Sequence, residues 1–152
     1  MQELSIEIFQ SRMENIEFMK RCGVRAESVG YGFGKSRMPL ASNENHVGSM
    51  YLGALSVLAE AGAAMCGSTI IDDQRHFPIV RSMHLNFLKP AYTDVFAEYQ
   101  LSDDTIARLL AQLESEGRSE YTAEFDMLDE SGLIVATVIS TITLLTRRDQ
   151  VT

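Results

Sequence analysis

The stretch Ser49–Cys66, SMYLGALSVLAEAGAAMC, allows few folds. Read as a helix it spans about 27 Å and has no polar face to give to water, so it must be buried nearly all round. It holds one ionisable side chain, Glu60. A carboxylate inside a buried helix is costly unless it is paired, hydrogen-bonded or protonated. A membrane span would relieve the burial but not the charge. Gly53, Ser56 and Gly62 at depth, and no basic residues at the flanks, argue against a span. The stretch is therefore read as the core helix of a globular domain, and Glu60 as the leading site candidate.

The rest of the chain supplies what must cover it. Residues 5–21 carry apolar side chains at helical spacing, with Ser5 as N-cap and Gly23 as stop, and predict one flanking helix within residues 1–23. Strands are expected over 24–29 and 35–40. A polar loop, ASNENHV, then leads to Ser49 as N-cap of the long helix, which Gly67 should end. Strands follow over 77–88 and 93–101. A short helix capped by Asp103 or Asp104 runs to Glu116, and strands over 119–128 and 133–146 flank the turn Asp129–Gly132. Hairpin-linked strands make an antiparallel sheet whose apolar face needs a cover. Only Ser49–Cys66 is long and apolar enough, and its glycines and alanines permit close approach. The expected class is α+β, one antiparallel sheet curled around one central helix, in a single domain over residues 1–152. In a monomer one side of that helix would stay open, so a homodimer is expected at least, extending to a dimer of dimers.

The net charge of −8 argues against a nucleic-acid backbone as partner, since phosphate binding needs clustered Lys and Arg. Cys22 and Cys66 have neither disulfide-framework nor metal spacing, and His46, His76 and His84 have none with them. No metal and no cofactor is expected. Two reduced thiols and an N-terminus without a signal peptide's apolar run point to the cytoplasm.

Asn45-His46-Val47-Gly48-Ser49-Met50-Tyr51-Leu52-Gly53, followed by Glu60, resembles a hotdog-fold domain of the phenylacetyl-CoA-thioesterase type and its less characterised relatives. That pattern has an Asn, a Gly three on, a His-Gly-Gly, and a carboxylate seven residues after the last glycine. Asn45, Gly48, Gly53 and Glu60 fall on those positions. Tyr51 stands for the His and Leu52 for the first paired glycine. Asn86–Ala91 and Asp129–Ala136 resemble two further stretches of the family.

The resemblance implies a thioester hydrolase acting on an acyl-CoA or acyl-carrier substrate. The N–H of Gly53, in the first turn of the helix, would polarise the carbonyl. Glu60 lies seven residues on, roughly 10 Å along the same helix, too far to reach that carbonyl. In such dimers the carboxylate comes from the partner's helix. Glu60 would then act as general base on water or as nucleophile, the base needing the less exacting geometry. Asn45 would hold the water or the carbonyl, unless it caps its own loop. Tyr51, Gly48, His84, Asn86 and Arg81 complete the candidate substrate-binding set, with Lys89, Arg147 and Arg148 as further cations for CoA phosphates. Cys66, at the end of an apolar helix, is a poor nucleophile candidate. The competing reading is a non-catalytic hotdog module that binds an acyl or other apolar ligand. A hydratase would need an Asp and a His at short helical spacing near the helix start, and they are not there.

Overall fold

In the computed structural model, residues 3–148 are described; residues 1–2 and 149–152, which fall within the expected domain bounds, lie outside them. Two short helices come first, α1 (Ile6–Glu14) and α2 (Glu17–Cys22). The single flanking helix expected over 5–21 is broken at Asn15–Ile16. The reason is phase: α1 buries Phe9 and Met13, and a continuous helix would turn Met19 about 120° away from Met13. The break lets Met19 join the same core. Ser5 caps α1 through Ile8 N–H (3.2 Å), and Gly23 ends α2 at φ 76°, both at the expected positions.

Strands β1 (Arg25–Gly30) and β2 (Phe33–Met38) form a hairpin, followed by the long helix α3 (Leu52–Ser68). Then come β3 (His76–Phe87), β4 (Val95–Gln100), α4 (Asp103–Glu116), β5 (Arg118–Asp129) and β6 (Ile134–Thr146). All strand pairs are antiparallel, in the order β1-β2-β4-β5-β6-β3. Chain order and sheet order disagree at one place: α3 carries the chain from β2 across the inner face to β3 at the far edge.

The inner face packs on α3. On β6, Ala136, Val138, Ser140, Ile142 and Leu144 are all buried, whereas of the odd positions Val135 and Thr143 are buried, Thr137 and Thr141 half-buried and Ile139 exposed. The alternation identifies the even-numbered side as the one facing the helix. Close approach is bought with glycine: a Cβ on Gly62 would lie 2.9 Å from Ala97 Cβ, and one on Gly34 2.5 Å from Met65 Sδ. One core cluster joins α1, α2 and the first half of α3 to the sheet; the other joins the end of α3 to α4, β5 and β6.

Several expected boundaries move. Helix α3 starts at Leu52, not Ser49, because the preceding backbone is engaged elsewhere: Met50 N–H donates to Ala91 O (2.8 Å) and Tyr51 N–H to Asn43 O (2.7 Å). Tyr51 is the N-cap and gives no side-chain cap. Gly67 lies inside α3 rather than ending it. A Cβ there would meet the Tyr121 hydroxyl at 2.6 Å, so it is a packing glycine. Helix α4 is capped by Ser102, whose Oγ accepts from Thr105 N–H (3.2 Å); Asp103 and Asp104 fall in the first turn.

Candidate active site

Helix α3 is not apolar all round. Gly53, Ser56, Glu60, Ala64 and Ser68 are half-buried, and at spacings of three and four residues they share one open line along it. Glu60 sits midway. Its carboxylate has no hydrogen-bond or ion-pair partner among the described residues, and desolvation raises its pKa above the usual carboxylate value.

Two clefts flank α3. The first, about 390 Å³, lies beside Glu60. Its walls are Phe9, Met13, Ile16 and Met19 of α1, α2 and their junction, then Ala61, Ala64, Met65 and Ser68 of α3, and Phe77 and Pro78 of β3. Its far rim is charged. Arg12 Nη2 pairs with Asp73 Oδ2 at 2.6 Å, and Arg147 donates through Nε to Asp73 O (3.1 Å) while lying over the Phe77 ring at 5.1 Å. His76 is on the same rim, within 3.2 Å of Thr146 Oγ1 through Nδ1, its pKa lowered by burial and then by Arg75.

The second cleft, about 370 Å³, lies at the start of α3. It is lined by Asn45, Ser49, Tyr51, Leu52 and Leu55, with Phe87, Leu88 and Lys89 opposite. Asn45 builds this corner. Its Oδ1 accepts from Val47 N–H (3.0 Å) and Ser49 N–H (3.1 Å), and its Nδ2 donates to Ser49 Oγ (2.9 Å). One amide proton remains beyond these bonds. Gly48, at φ 83°, closes the turn with its N–H on Asn45 O (3.1 Å). Gly53 is the second residue of α3, so its N–H has no helical acceptor. The exposed Tyr51 ring lies over Gly53, where a Cβ would collide with it.

The structure thus brings Asn45, Gly48, Tyr51 and Gly53 to one corner and sets Glu60 in the other cleft of the same chain. It places three residues elsewhere. Ser82, His84 and Asn86 pair with Thr141, Ile139 and Thr137, on the sheet face turned away from α3. His84 and Asn86 therefore do not wall either cleft. Arg81 is the extra residue of a bulge between Val80 and Ser82 and also lies outside both. Cys66 is buried and pushed up to about 11, chiefly by desolvation, which removes it as a nucleophile. Among the described residues, no group of three or more His, Cys, Asp and Glu could hold a metal ion, and no helix is long and apolar enough to cross a membrane.

Residues 10–144 match the model of a family described as a domain of unknown function, DUF4442. A Pseudomonas aeruginosa protein of unknown function, described as a probable thioesterase, is 37% identical over 96% of this chain and 99% of its own, with a TM-score of 0.83. The chain belongs to the DUF4442 family, within the hotdog-fold thioesterase superfamily. A Haemophilus influenzae thioesterase is similar in fold: TM-score 0.75, 14% identity, 99% of this chain and 97% of that one. So is a mutant thioesterase of P. aeruginosa, with TM-score 0.76, 16% identity, and 96% and 97% coverage. No curated protein matches the chain significantly.

For a DUF4442 hotdog domain the wall built by α1 and α2 is the part that sequence reasoning missed. The flanking helix was expected, but nothing local says that its Phe9 and Met13 stand across from Glu60. The Arg12–Asp73 pair was missed for the same reason, since its partners are far apart in the chain.

Proposed function

We propose that the protein hydrolyses acyl thioesters, of CoA or of a carrier protein, at a site shared between two copies of the chain. The observation that carries the reading is Glu60. It is a half-buried carboxylate with a raised pKa and no partner among the described residues, on the open line of a helix whose N-terminus opens on the same line. The likeness to a probable thioesterase at 37% identity supports it.

The free edge of β3 supports the shared site. Among the described residues β3 pairs with β6 alone, and Ile79, Met83, Phe87 and Leu88 along or just beyond it are exposed. An unpaired edge with apolar side chains is a template for a second strand. Two β3 strands joined antiparallel about a two-fold axis set the Phe87 end of one beside the His76 end of the other. The corner of Asn45 and Gly53 then meets the partner's Glu60 cleft. Glu60 takes a proton from water as the water oxygen attacks the thioester carbon. The oxyanion forms against the N–H of Gly53. Collapse expels the thiolate, which recovers the proton from Glu60. Asn45 and Gly48 hold the α3 entry in place, and Lys89 at the rim is the cation nearest a CoA arm.

One observation favours the second reading, a binding module without turnover: the Tyr51 ring rests over Gly53, where the carbonyl would approach. The two are separated by a panel of acyl-CoAs assayed for thiol release. Turnover that falls about a hundredfold or more in Glu60→Gln, with fold and oligomeric state kept, is the expected result. Unchanged turnover in that variant sinks the mechanism, and no release from any acyl-CoA favours the binding module.

A further inference from the structure

The cleft beside Glu60 has a shape and lining of its own. It follows the open line of α3 from Glu60 past Ala64 to Ser68, about 12 Å along the helix. Its sides are apolar and adaptable. Met13, Met19 and Met65 contribute flexible thioethers, and the small Ala61 and Ala64 form a floor that leaves the space open. At one end stands the Glu60 carboxylate. At the other, the Arg12–Asp73 pair ties α1 to the loop after α3, with Arg147 beside it on Phe77. A volume of about 390 Å³ is that of a small-molecule site.

We propose that this cleft holds the acyl chain of the substrate, that it takes a flexible alkyl chain of medium length, and that α1 and α2 set its specificity. The proposal rests on the hydrolase reading for the identity of the ligand. With the thioester carbon at Glu60, the chain can run only along α3, between Met13 and Met19 on one side and Phe77 on the other. The Arg12–Asp73 pair is the end stop, because burying an alkyl terminus against an ion pair costs the pair its water. Short acyl groups leave most of the cleft unfilled and gain little from it.

The test uses two variants and two readouts. Ala64 is half-buried on the floor and touches no reacting atom, so Ala64→Phe should fill the cleft while the protein stays folded. Asp73→Ala, at an exposed side chain, opens the far end. Binding is read with decyl-CoA and ethyl-CoA, thioethers that lack the scissile carbonyl. Turnover is read with acetyl-, hexanoyl-, decanoyl- and tetradecanoyl-CoA. The wild type is expected to bind decyl-CoA more tightly than ethyl-CoA, and Ala64→Phe to abolish the difference. The same variant should lower kcat/KM for decanoyl-CoA at least tenfold more than for acetyl-CoA, since pocket discrimination per methylene is about that size. Asp73→Ala should shift the preferred chain toward tetradecanoyl-CoA. Equal binding of the two thioethers by the wild type overturns the proposal. So does a preference that neither variant alters, and with thiol release intact either result leaves the hydrolase reading standing. Chain-length-dependent binding with no thiol release from any substrate supports the cleft and overturns the hydrolase reading instead.

Discussion

At the scale of single residues, Glu60 shows how a position can be costly and useful at once. Burial favours its neutral form, so the folded protein holds this proton more tightly than the unfolded chain does. The stability tied to that proton is fully present below the ordinary value of 4.5 and is lost as pH rises through the raised folded value. Glu60→Gln should therefore have a higher Tm than the wild type at neutral pH, and the gap should close below pH 4.5 in a thermal melt series. Activity runs the other way. A general base must be ionised, so kcat/KM should climb with pH through a limb lying above 4.5, and a limb at the ordinary value would contradict the burial. Glu60 was legible in the sequence because it is the one charge in an apolar run. The face that His84 and Asn86 occupy was not legible, because alternation along a strand is the same whichever face it belongs to. On β3, where both faces are largely exposed, burial offers no second clue. Asn45 was legible as either a ligand-facing amide or a loop cap. The structure shows three of its bonds spent inside the loop.

Among the elements, α3 was visible through its glycines and alanines, whose use is now specific. Gly62 lets the helix lie against Ala97, at 2.9 Å from a notional Cβ. Gly62→Val should cost about 1–3 kcal/mol of overpacking, read as a lower midpoint in urea denaturation. The ends of α3 were not legible, because what decides them lies elsewhere in the chain: Ala91 and Asn43 take the N–H groups before Leu52, and Tyr121 fits against Gly67. Local signals such as Ser49 and Gly67 were overruled by tertiary partners. The same holds for the break between α1 and α2, where the core's demand for Met19 outweighs the continuity of the helical pattern.

For the whole molecule, the sheet around a helix followed from the order of elements, while the strand order did not. That β3 ends at the far edge depends on its pairing with β6, and no local pattern announces a partner that distant. The proposed shared site makes two demands on the assembly. Met83→Lys, placing a charge on the free edge, should give monomers by sedimentation and abolish turnover together with them. Gly53→Val and Glu60→Gln proteins, each inactive alone, should recover about a quarter of wild-type activity after subunit exchange, because half of randomly paired dimers then contain one intact site. Failure to recover activity after verified exchange would confine the site to one chain.

The seat of β3 also has a consequence for how the chain is made. His76 pairs with Thr146 and Phe87 with Ala136, so β3 has no strand beside it until β6 has left the ribosome. Until then its apolar side chains and its backbone on both edges are open to any other strand. Synthesis of this protein thus holds β3 in waiting through the making of β4, α4 and β5, and a nascent chain stalled before β6 presents that strand unpaired on both edges.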